Sequence, residues 1–337
     1  MTIAKSSGSQ VHLGVSPLSW TNDVLAELGG DIPLEVCLKD AADNGYDGVE
    51  LGRKFPREAH ELLSKLSSYG LRLATGWHSG FLTERSVEAE WKAAADHVQL
   101  LESCGCQVLV YGECGMMEGN APWDEPLSRG TKLKTIDLAA YAERLTEFSV
   151  GLNRRGIKLA YHYHLKMVVE TAEEIAAFCE ATPPEVGLLL DTGHAYAAGA
   201  DYGEILRRFG DRVVHKEGNF QGSPRLTTAV GQQQNRLKSL GGARDRSSEA
   251  PTIHLKDVRR NVLDWARKND ATFNTAVREG LFTVPGDGNL DFTEIGKFVR
   301  SSGYSGWTVV EAEQDPTKAP PRIYTEKAYQ YVKKLLF

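Results

Sequence analysis

The sequence predicts an α/β protein with the fold of a (β/α)8 barrel, or TIM barrel. Short apolar runs alternate with helical patterns along most of the 337 residues, and this order implies right-handed crossovers between parallel strands. The apolar runs are rich in β-branched residues and nearly unbroken, as is typical of strands covered on both faces. About eight strand–helix units can be counted, which is the number that a closed barrel of this type requires.

A doubly wound open sheet is the competing architecture. The first strand is not followed by a G-x-G-x-x-G motif, so a dinucleotide-binding sheet lacks its main sequence support. We therefore expect one barrel domain over residues 1–337.

The first half of the chain supplies four strands and four helices in strict alternation. One helix is closed by a C-terminal glycine and the next begins at a proline, both common helix signals. The predicted strands are HLGVSP, GYDGVELG, LRLATGW and CQVLVYGE, and the helices are IPLEVCLKDAADNG, PREAHELLSKLSSYG, SVEAEWKAAADHVQLLESCG and TIDLAAYAERLTEFSVGLNRRG.

The second half continues the same alternation. Its predicted strands are IKLAYHYH, EVGLLLD, a strand near residue 254 and WTVVEAE, and its helices are TAEEIAAFCEAT, LDFTEIGKFVRSSG and a closing helix around TEKAYQYVKKLL. Residues 216–252 break the rhythm, because they are rich in Gly, Gln, Ser and Arg and have little apolar periodicity. We interpret them as an irregular, flexible insertion that interrupts strand 7, with a small ordered lid as the alternative.

Composition and charge restrict the class of protein. The apolar fraction is 41% and the charged fraction 25%, as in a soluble globular protein. The net charge of −6, without a long basic run, argues against a nucleic-acid partner. The polar N-terminus resembles no signal peptide and no run of about 18 apolar residues occurs, so we expect no membrane partner and a cytoplasmic location. The five cysteines are expected to be reduced and mostly buried.

Several strands end in residues that can bind metals or carry protons. In a parallel barrel these ends meet at one rim, where active sites lie. The residues, in strand order, are Glu50; Trp77 and His78; Tyr111 and Glu113; His162 and His164; Asp191 and His194; His254, Lys256 and Asp257; Glu311 and Glu313. Leaving so many groups buried and unpaired would cost roughly several kcal/mol each, and a divalent cation would neutralise them. The oxygen and nitrogen ligands suit Mn, Co, Mg or Zn.

The chain resembles the inosose dehydratases of the xylose-isomerase-like TIM barrel superfamily. The resemblance covers nearly the whole chain except 216–252, and it is carried by PLSWTND, GYDGVELGRKFP, GWHSG, YHYHLKMVVET, LLLDTGHAYAAGAD, HLKDVRRNVLDW, FTVPGDGNLDF and VVEAEQDP. It implies a hydro-lyase of inositol catabolism that converts 2-keto-myo-inositol to a trihydroxycyclohexane-1,2-dione. It also implies Mn2+ or Co2+ as cofactor, with glutathione as a further cofactor.

The superfamily's metal ligands map onto four strand ends here. They correspond to His162 or His164, Asp191, His254 and Glu311. His162 is preferred because many relatives carry glutamate at its position, but residues 162 and 164 share one face of a strand and both remain candidates.

The resemblance also suggests roles for the neighbouring residues. Glu311 would serve as both ligand and general base, and His194 and Lys256 are candidates for the acid and for stabilising the enolate. The expected substrate is a small polyol or cyclic ketose. The residues expected to contact it are Glu50, Trp20, Trp77, His78, Arg259, Arg260 and Glu313.

Other functions remain compatible with the sequence. A sugar or hydroxy-keto isomerase or epimerase could use the same barrel and the same enediolate. The family runs strand 7 as VVHVHLKD without interruption, whereas here 37 residues separate VVH from IHLKD. A one-residue slip of that strand would turn His254 away from the rim, so a catalytically impaired sugar-binding relative is a further alternative. Assembly into a homo-oligomer is compatible with all of these functions.

Overall fold

Eight parallel strands form a closed barrel, which confirms the predicted fold. The computed structural model describes residues 11–117, 121–130, 133–213 and 252–337. The barrel strands are β1 (Val11–Val15), β2 (Gly48–Leu51), β3 (Arg72–Gly80), β4 (Val108–Glu113), β5 (Lys158–His162), β6 (Val186–Asp191), β7 (Thr252–Leu255) and β10 (Gly306–Val310). Two short antiparallel strands, β8 (Asp257–Val258) and β9 (Phe282–Thr283), pair beside the barrel.

Helices follow the strands around the outside. The α-helices of the described residues are α1 (Leu34–Asn44), α2 (Ala59–Ser68), α3 (Val87–Ser103), α4 (Leu138–Arg154), α5 (Ala172–Ala181), α6 (Thr192–Ala197), α7 (Tyr202–Val213), α8 (Arg260–Lys268), α9 (Phe273–Arg278), α10 (Thr293–Ser301) and α11 (Pro321–Leu336). None of them is both long and apolar enough to cross a membrane.

Local sequence signals explain several of these boundaries. Gly45 ends α1 at a φ of 96°, a left-handed conformation that glycine adopts without steric cost. Thr171 and Glu174 form a capping box at the start of α5. The second predicted helix was placed too early, because α2 begins at Ala59 rather than at Pro56.

Strand β7 keeps its register despite the insertion in the sequence. Its backbone pairs Asp191 with His254 on one side and Val309 with His254 on the other, so His254 lies level with the end of β6. Thr252 is the first residue of β7, so the predicted insertion ends one residue earlier. Val213, which was predicted to begin the strand, instead ends α7. Residues 216–251, to which the prediction of a flexible excursion applies, lie outside the described residues.

The alternation of side chains along each strand brings the polar groups to the inside of the barrel. Ala160 of β5 and Leu189 of β6 pack with Val108 and Val110 in a small cluster separate from the main apolar core. His162 and Asp191 lie two residues further along these strands, so they share the same face. The strand ends therefore carry their polar side chains into the mouth of the barrel.

Candidate metal centre and active site

Four buried side chains converge at the carboxyl ends of neighbouring strands. His162 ends β5, Asp191 ends β6, His254 lies in β7 and Glu311 follows β10. Each offers one nitrogen or oxygen atom, and these atoms all lie within 4.8 Å of one another. Because β5, β6, β7 and β10 are consecutive in the barrel, residues far apart in sequence reach one point.

The closest atoms in this four-residue cluster define its centre. His162 Nε2 lies 3.3 Å from Asp191 Oδ2, and His254 Nδ1 lies 3.7 Å from the same oxygen. His254 Nδ1 also contacts Glu311 Oε2 closely. Two nitrogens and two carboxylate oxygens therefore face one small volume.

The donor set fits a divalent cation. Asp191 Oδ2 and His254 Nδ1 are buried and, although His162 and Glu311 lie close to them, make no well-formed hydrogen bond with the described residues. Leaving such groups without a partner is costly, and metal coordination is a common way of satisfying them. Imidazole and carboxylate ligands without thiolate suit Mn, Co or Zn. The four-residue cluster could hold such an ion.

Glu50 supports this cluster from outside. Its Oε1 atom accepts a hydrogen bond from His254 Nε2 over 3.0 Å, and Thr75 Oγ1 donates to the same carboxylate oxygen. Because Nε2 donates a hydrogen bond to Glu50, a neutral His254 that binds an ion would carry its lone pair on Nδ1, which faces the cluster centre. The structure therefore places Glu50, predicted to contact substrate, behind a metal-ligand candidate.

A second group of buried side chains lies beside the first. His164, His194 and Glu313 also bring one potential ligand atom each within 4.8 Å of one another. The rings of His164 and His194 have centroids 3.6 Å apart. His164 lies two residues beyond the end of β5, so the structure separates the two histidines that the sequence could not distinguish: His162 joins the four-residue cluster and His164 the second one.

Lys256 joins the two groups. Its Nζ atom donates to Glu313 Oε2 over 3.0 Å and lies 2.7 Å from His194 Nε2. The same ammonium lies 2.7 Å from Glu311 Oε1 and 3.8 Å from Asp191 Oδ2. Lys256 is fully buried, and the ring of Phe282 lies 4.7 Å from its Nζ atom.

Neighbouring charges oppose the effect of burial on the pKa values of the four-residue cluster. Burial disfavours the ionised form of Asp191, but Lys256 and His194 hold the pKa of Asp191 well below its usual range. Burial acts in the same direction on Glu311, yet Lys256 and His254 lower its pKa. For His254 burial would lower the pKa, but Glu50 and Glu311 raise it well above the ordinary value.

The second group shows a different balance. Burial raises the pKa of Glu313, although Lys256 partly opposes this effect. Burial is also the main reason that the pKa of His164 is lowered to about 3 and that of His194 lies well below its usual value. Burial would lower the pKa of Lys256, but Glu311 and Glu313 raise it. These shifts favour a charged ammonium between the two carboxyl groups and two neutral imidazoles.

The orientation of His194 bears on its predicted role. Because the Lys256 ammonium donates to His194 Nε2, that nitrogen is a hydrogen-bond acceptor. The backbone N–H of His194 donates to Asp191 Oδ1, which fixes the start of α6. His194 is thus in the site, but its Nε2 is engaged as an acceptor rather than available as a proton donor.

Two tryptophans lie at the mouth of the barrel. Trp77 is 38% exposed, and its ring meets that of His162 edge to face at 5.4 Å between centroids. Trp123 packs against His164 and Phe273. The sequence reasoning missed Trp123 and Phe273, since neither lies at the end of a barrel strand. A large aromatic residue in the polar segment APWDEP was the available signal for Trp123.

Two residues in the first half of the chain that were predicted to contact substrate lie away from both groups of buried side chains. His78 Nε2 lies 2.6 Å from Glu90 Oε1 of α3, because His78 and Trp77 point to opposite faces of β3. Trp20 is almost fully buried, and its Nε1 donates to Asp40 of α1 over 3.0 Å. These two residues stabilise the outer packing, and the structure does not bring them to the clusters.

The two predicted arginines are also engaged outside the clusters. Arg259 forms an ion pair with Asp287 at 2.8 Å and donates to the carbonyl of Gly280. Arg260 Nε donates to the hydroxyl of Tyr196 over 2.8 Å. Their position directly after β8 turns both side chains toward the surrounding loops, so neither is placed to grip a substrate over the four-residue cluster.

Comparison with known proteins agrees with this architecture. The model of the family described as "Xylose isomerase-like TIM barrel" matches residues 38–335. The rhizopine catabolism protein MocC of Rhizobium meliloti is 37% identical over 326 residues, covering 97% of this chain and 89% of the relative. An inosose dehydratase of Clostridium perfringens (strain 13 / Type A) is 33% identical over 328 residues, covering 96% of this chain and 97% of the relative.

Similar folds are also known among solved structures. A structure described as the IOLI protein with a binding zinc atom aligns with a TM-score of 0.59 at 15% identity, covering 96% of each chain. At this identity the likeness concerns the fold alone.

Proposed function

The chain belongs to the xylose isomerase-like TIM barrel family and to its inosose dehydratase relatives, and from this premise we propose that it is a metal-dependent inosose dehydratase. The reaction is the dehydration of 2-keto-myo-inositol to a trihydroxycyclohexane-1,2-dione, a hydro-lyase step of inositol catabolism. The convergence of His162, Asp191, His254 and Glu311 carries the proposal, because it supplies a cation site where the reaction needs one.

The chemistry explains that need. The proton to be removed is on the carbon next to the ketone, and the departing hydroxyl is on the following carbon. Loss of the proton places negative charge on the oxygens of an enediolate. A divalent ion bound by the four-residue cluster supplies Lewis-acid stabilisation of that charge, worth roughly several kcal/mol.

The protein's own groups divide the remaining tasks. Glu311 is an ionised carboxylate at the cluster, and we assign it the removal of the proton. Lys256 remains an ammonium 2.7 Å from Glu311 Oε1, and its positive charge can stabilise a developing enolate electrostatically. Glu313 lies outside the four-residue cluster and burial raises its pKa, so we assign it the transfer of a proton to the departing hydroxyl.

The mouth of the barrel suits a small cyclic polyol. The exposed part of Trp77 can cover the C–H face of a ring, while the carboxyl groups of Glu311 and Glu313 can bind its hydroxyls. We propose Mn2+ or Co2+ as the resident ion, since both accept nitrogen and carboxylate ligands.

Glutathione as a further cofactor is a proposal that comes from the family resemblance. Burial raises the pKa of Cys114, the cysteine that follows β4, to about 11, which disfavours its thiolate.

The test is an assay of the purified protein with 2-keto-myo-inositol, Mn2+ or Co2+, and a chelator control. We expect the absorbance of the dione to appear only when metal is present. Asp191→Asn and Glu311→Gln should abolish turnover, and full turnover in either variant would remove the basis of the proposal. Addition of glutathione to parallel reactions tests that cofactor separately.

Two other activities can be separated by the same experiment. Because the chain is 37% identical to a rhizopine catabolism protein, the second candidate substrate is a ketone derived from rhizopine. A rate that is higher on a rhizopine-derived ketone than on 2-keto-myo-inositol would support it. An isomerase or epimerase would return the proton without releasing water, so its product would retain all hydroxyls and show no diketone absorbance.

A further inference from the structure

Lys256 is the buried cation that connects the two groups of potential metal ligands. The second group, His164, His194 and Glu313, contains ligand types that could hold an ion of their own. The Lys256 ammonium already lies 2.7 Å from His194 Nε2 and 3.0 Å from Glu313 Oε2. It therefore contacts two of the three residues that a second ion would need.

Glu311 links this ammonium to the four-residue cluster. Its Oε1 atom lies 2.7 Å from Lys256 Nζ, while its Oε2 atom contacts His254 Nδ1. Glu311 thus directs one oxygen to the four-residue cluster and the other to the ammonium, as a carboxylate shared by a two-metal site would, where the ions lie about 3.5–4 Å apart. Here one of the two positions is taken by an ammonium.

The balance of charge favours the same arrangement. Three carboxylates, those of Asp191, Glu311 and Glu313, lie within 4 Å of Lys256 Nζ and are buried. Even if all three are ionised they carry three negative charges, whereas two divalent ions and the ammonium would carry five positive charges. Two divalent ions together with the lysine would leave an excess of positive charge in a buried site, which is unfavourable.

The backbone and side-chain stem of Lys256 are also fixed by their surroundings. The backbone N–H of Lys256 donates to Thr192 Oγ1 over 3.0 Å, and that hydroxyl donates to the carbonyl of Lys256. A Cβ atom at Gly193 would lie 2.5 Å from Lys256 Cγ, so the glycine leaves room for the lysine stem. The chain is therefore built around an extended, buried lysine at this point.

We propose that the Lys256 ammonium takes the place of a second metal ion, so that the protein binds one divalent cation per chain. This inference rests on the metal site of the proposed function. It implies that a neutral, unbranched residue at position 256 opens a second cation site on His164, His194 and Glu313, bridged to the first by Glu311.

The experiment is a count of metal ions per chain. Metal-free protein is dialysed against Mn2+ or Co2+, and the bound metal is measured by mass spectrometry for the unaltered chain and for Lys256→Met. We expect one ion in the unaltered chain and two in the variant. The double variant Lys256→Met/His194→Leu should return to one. Lys166→Met removes another buried lysine, whose Nζ donates to the carbonyls of Glu125 and Pro126, and should leave the count at one.

Electron paramagnetic resonance of the Mn2+ forms gives an independent measurement. The unaltered chain should show the signal of an isolated ion, and Lys256→Met that of a spin-coupled pair. Two ions in the unaltered chain, or one in a folded Lys256→Met or Lys256→Gln variant, would overturn the inference but leave the first metal site intact. If both variants fail to fold, the count in the unaltered chain decides. A chain that binds no ion would overturn the proposed metal site and this inference with it.

Discussion

His254 Nε2 lies 3.0 Å from Glu50 Oε1, on the side of the imidazole ring away from Glu311. The two carboxylates thus hold the ring between them, and when an ion binds, the proton on Nε2 would leave Nδ1 as its ligand. Such outer carboxylates usually orient a metal-binding histidine and increase its basicity.

Glu50→Gln is expected to weaken metal binding by about 10–100-fold, because the amide cannot accept the histidine proton with the same strength. Calorimetric titration with Mn2+ or Co2+ measures this effect. Glu102→Gln, which alters an exposed carboxylate paired with Arg155, is the control. Unchanged affinity in the Glu50 variant would show that Glu50 has no part in orienting His254.

Glu313→Gln is expected to lower kcat by about 10²–10⁴-fold, because the amide cannot transfer a proton to the departing hydroxyl. Metal content should remain one ion per chain, since Glu313 lies outside the four-residue cluster. Glu294→Gln, which alters an exposed carboxylate paired with Lys297 on α10, is the matched control. A Glu313 variant that keeps its kcat would exclude this carboxyl as the proton donor.

Trp77→Ala is expected to raise KM about fivefold without changing metal affinity. The indole face contributes roughly 1 kcal/mol when it packs against the C–H face of a substrate ring. Trp265→Ala removes a tryptophan of similar exposure, 40% against 38%, from α8 and should leave KM unchanged. Steady-state kinetics at saturating metal compare the two variants. Equal KM values would mean that Trp77 does not contact the substrate.

His97 is expected to make the free energy of unfolding depend on pH. Burial lowers the pKa of its imidazole from 6.5 to about 4. The unfolded chain therefore binds more protons at this position between these pH values. The free energy of unfolding therefore has its full value above about pH 6.5, and it falls by up to about 3 kcal/mol as the pH is lowered to 4.

Urea unfolding at several pH values tests this expectation. His97→Gln should show a smaller loss of stability between pH 6.5 and 4 than the unaltered chain. His60→Gln, which changes an exposed histidine of α2, should follow the unaltered chain. Identical pH dependence in the unaltered chain and in the His97 variant would show that His97 does not contribute to the pH dependence of unfolding.

The sequence identified the barrel and most of the residues at its mouth. Apolar runs of strand length alternate with amphipathic segments, and this periodicity is a local property that can be counted along the chain. The polar residues at the ends of these runs followed from the same pattern. These residues could be expected together at one rim because parallel strands bring their carboxyl ends there, whereas the choice of His162 or His164, Asp191, His254 and Glu311 as metal ligands came from the family resemblance.

Tertiary structure alone decided which of the candidate side chains meet. The pleat of β3 sends His78 to Glu90 while Trp77 faces the mouth, and no local signal distinguishes these neighbours. Strand β5 ends at His162, so His164 lies beyond the strand and joins a different group of side chains. Their spacing of two residues would have placed both on one face if the strand had continued. Likewise, Glu50 and His254 are 204 residues apart, and only closure of the barrel sets their hydrogen bond. Such contacts depend on register and strand order, which are determined by the packing of the whole barrel rather than by any segment of the chain.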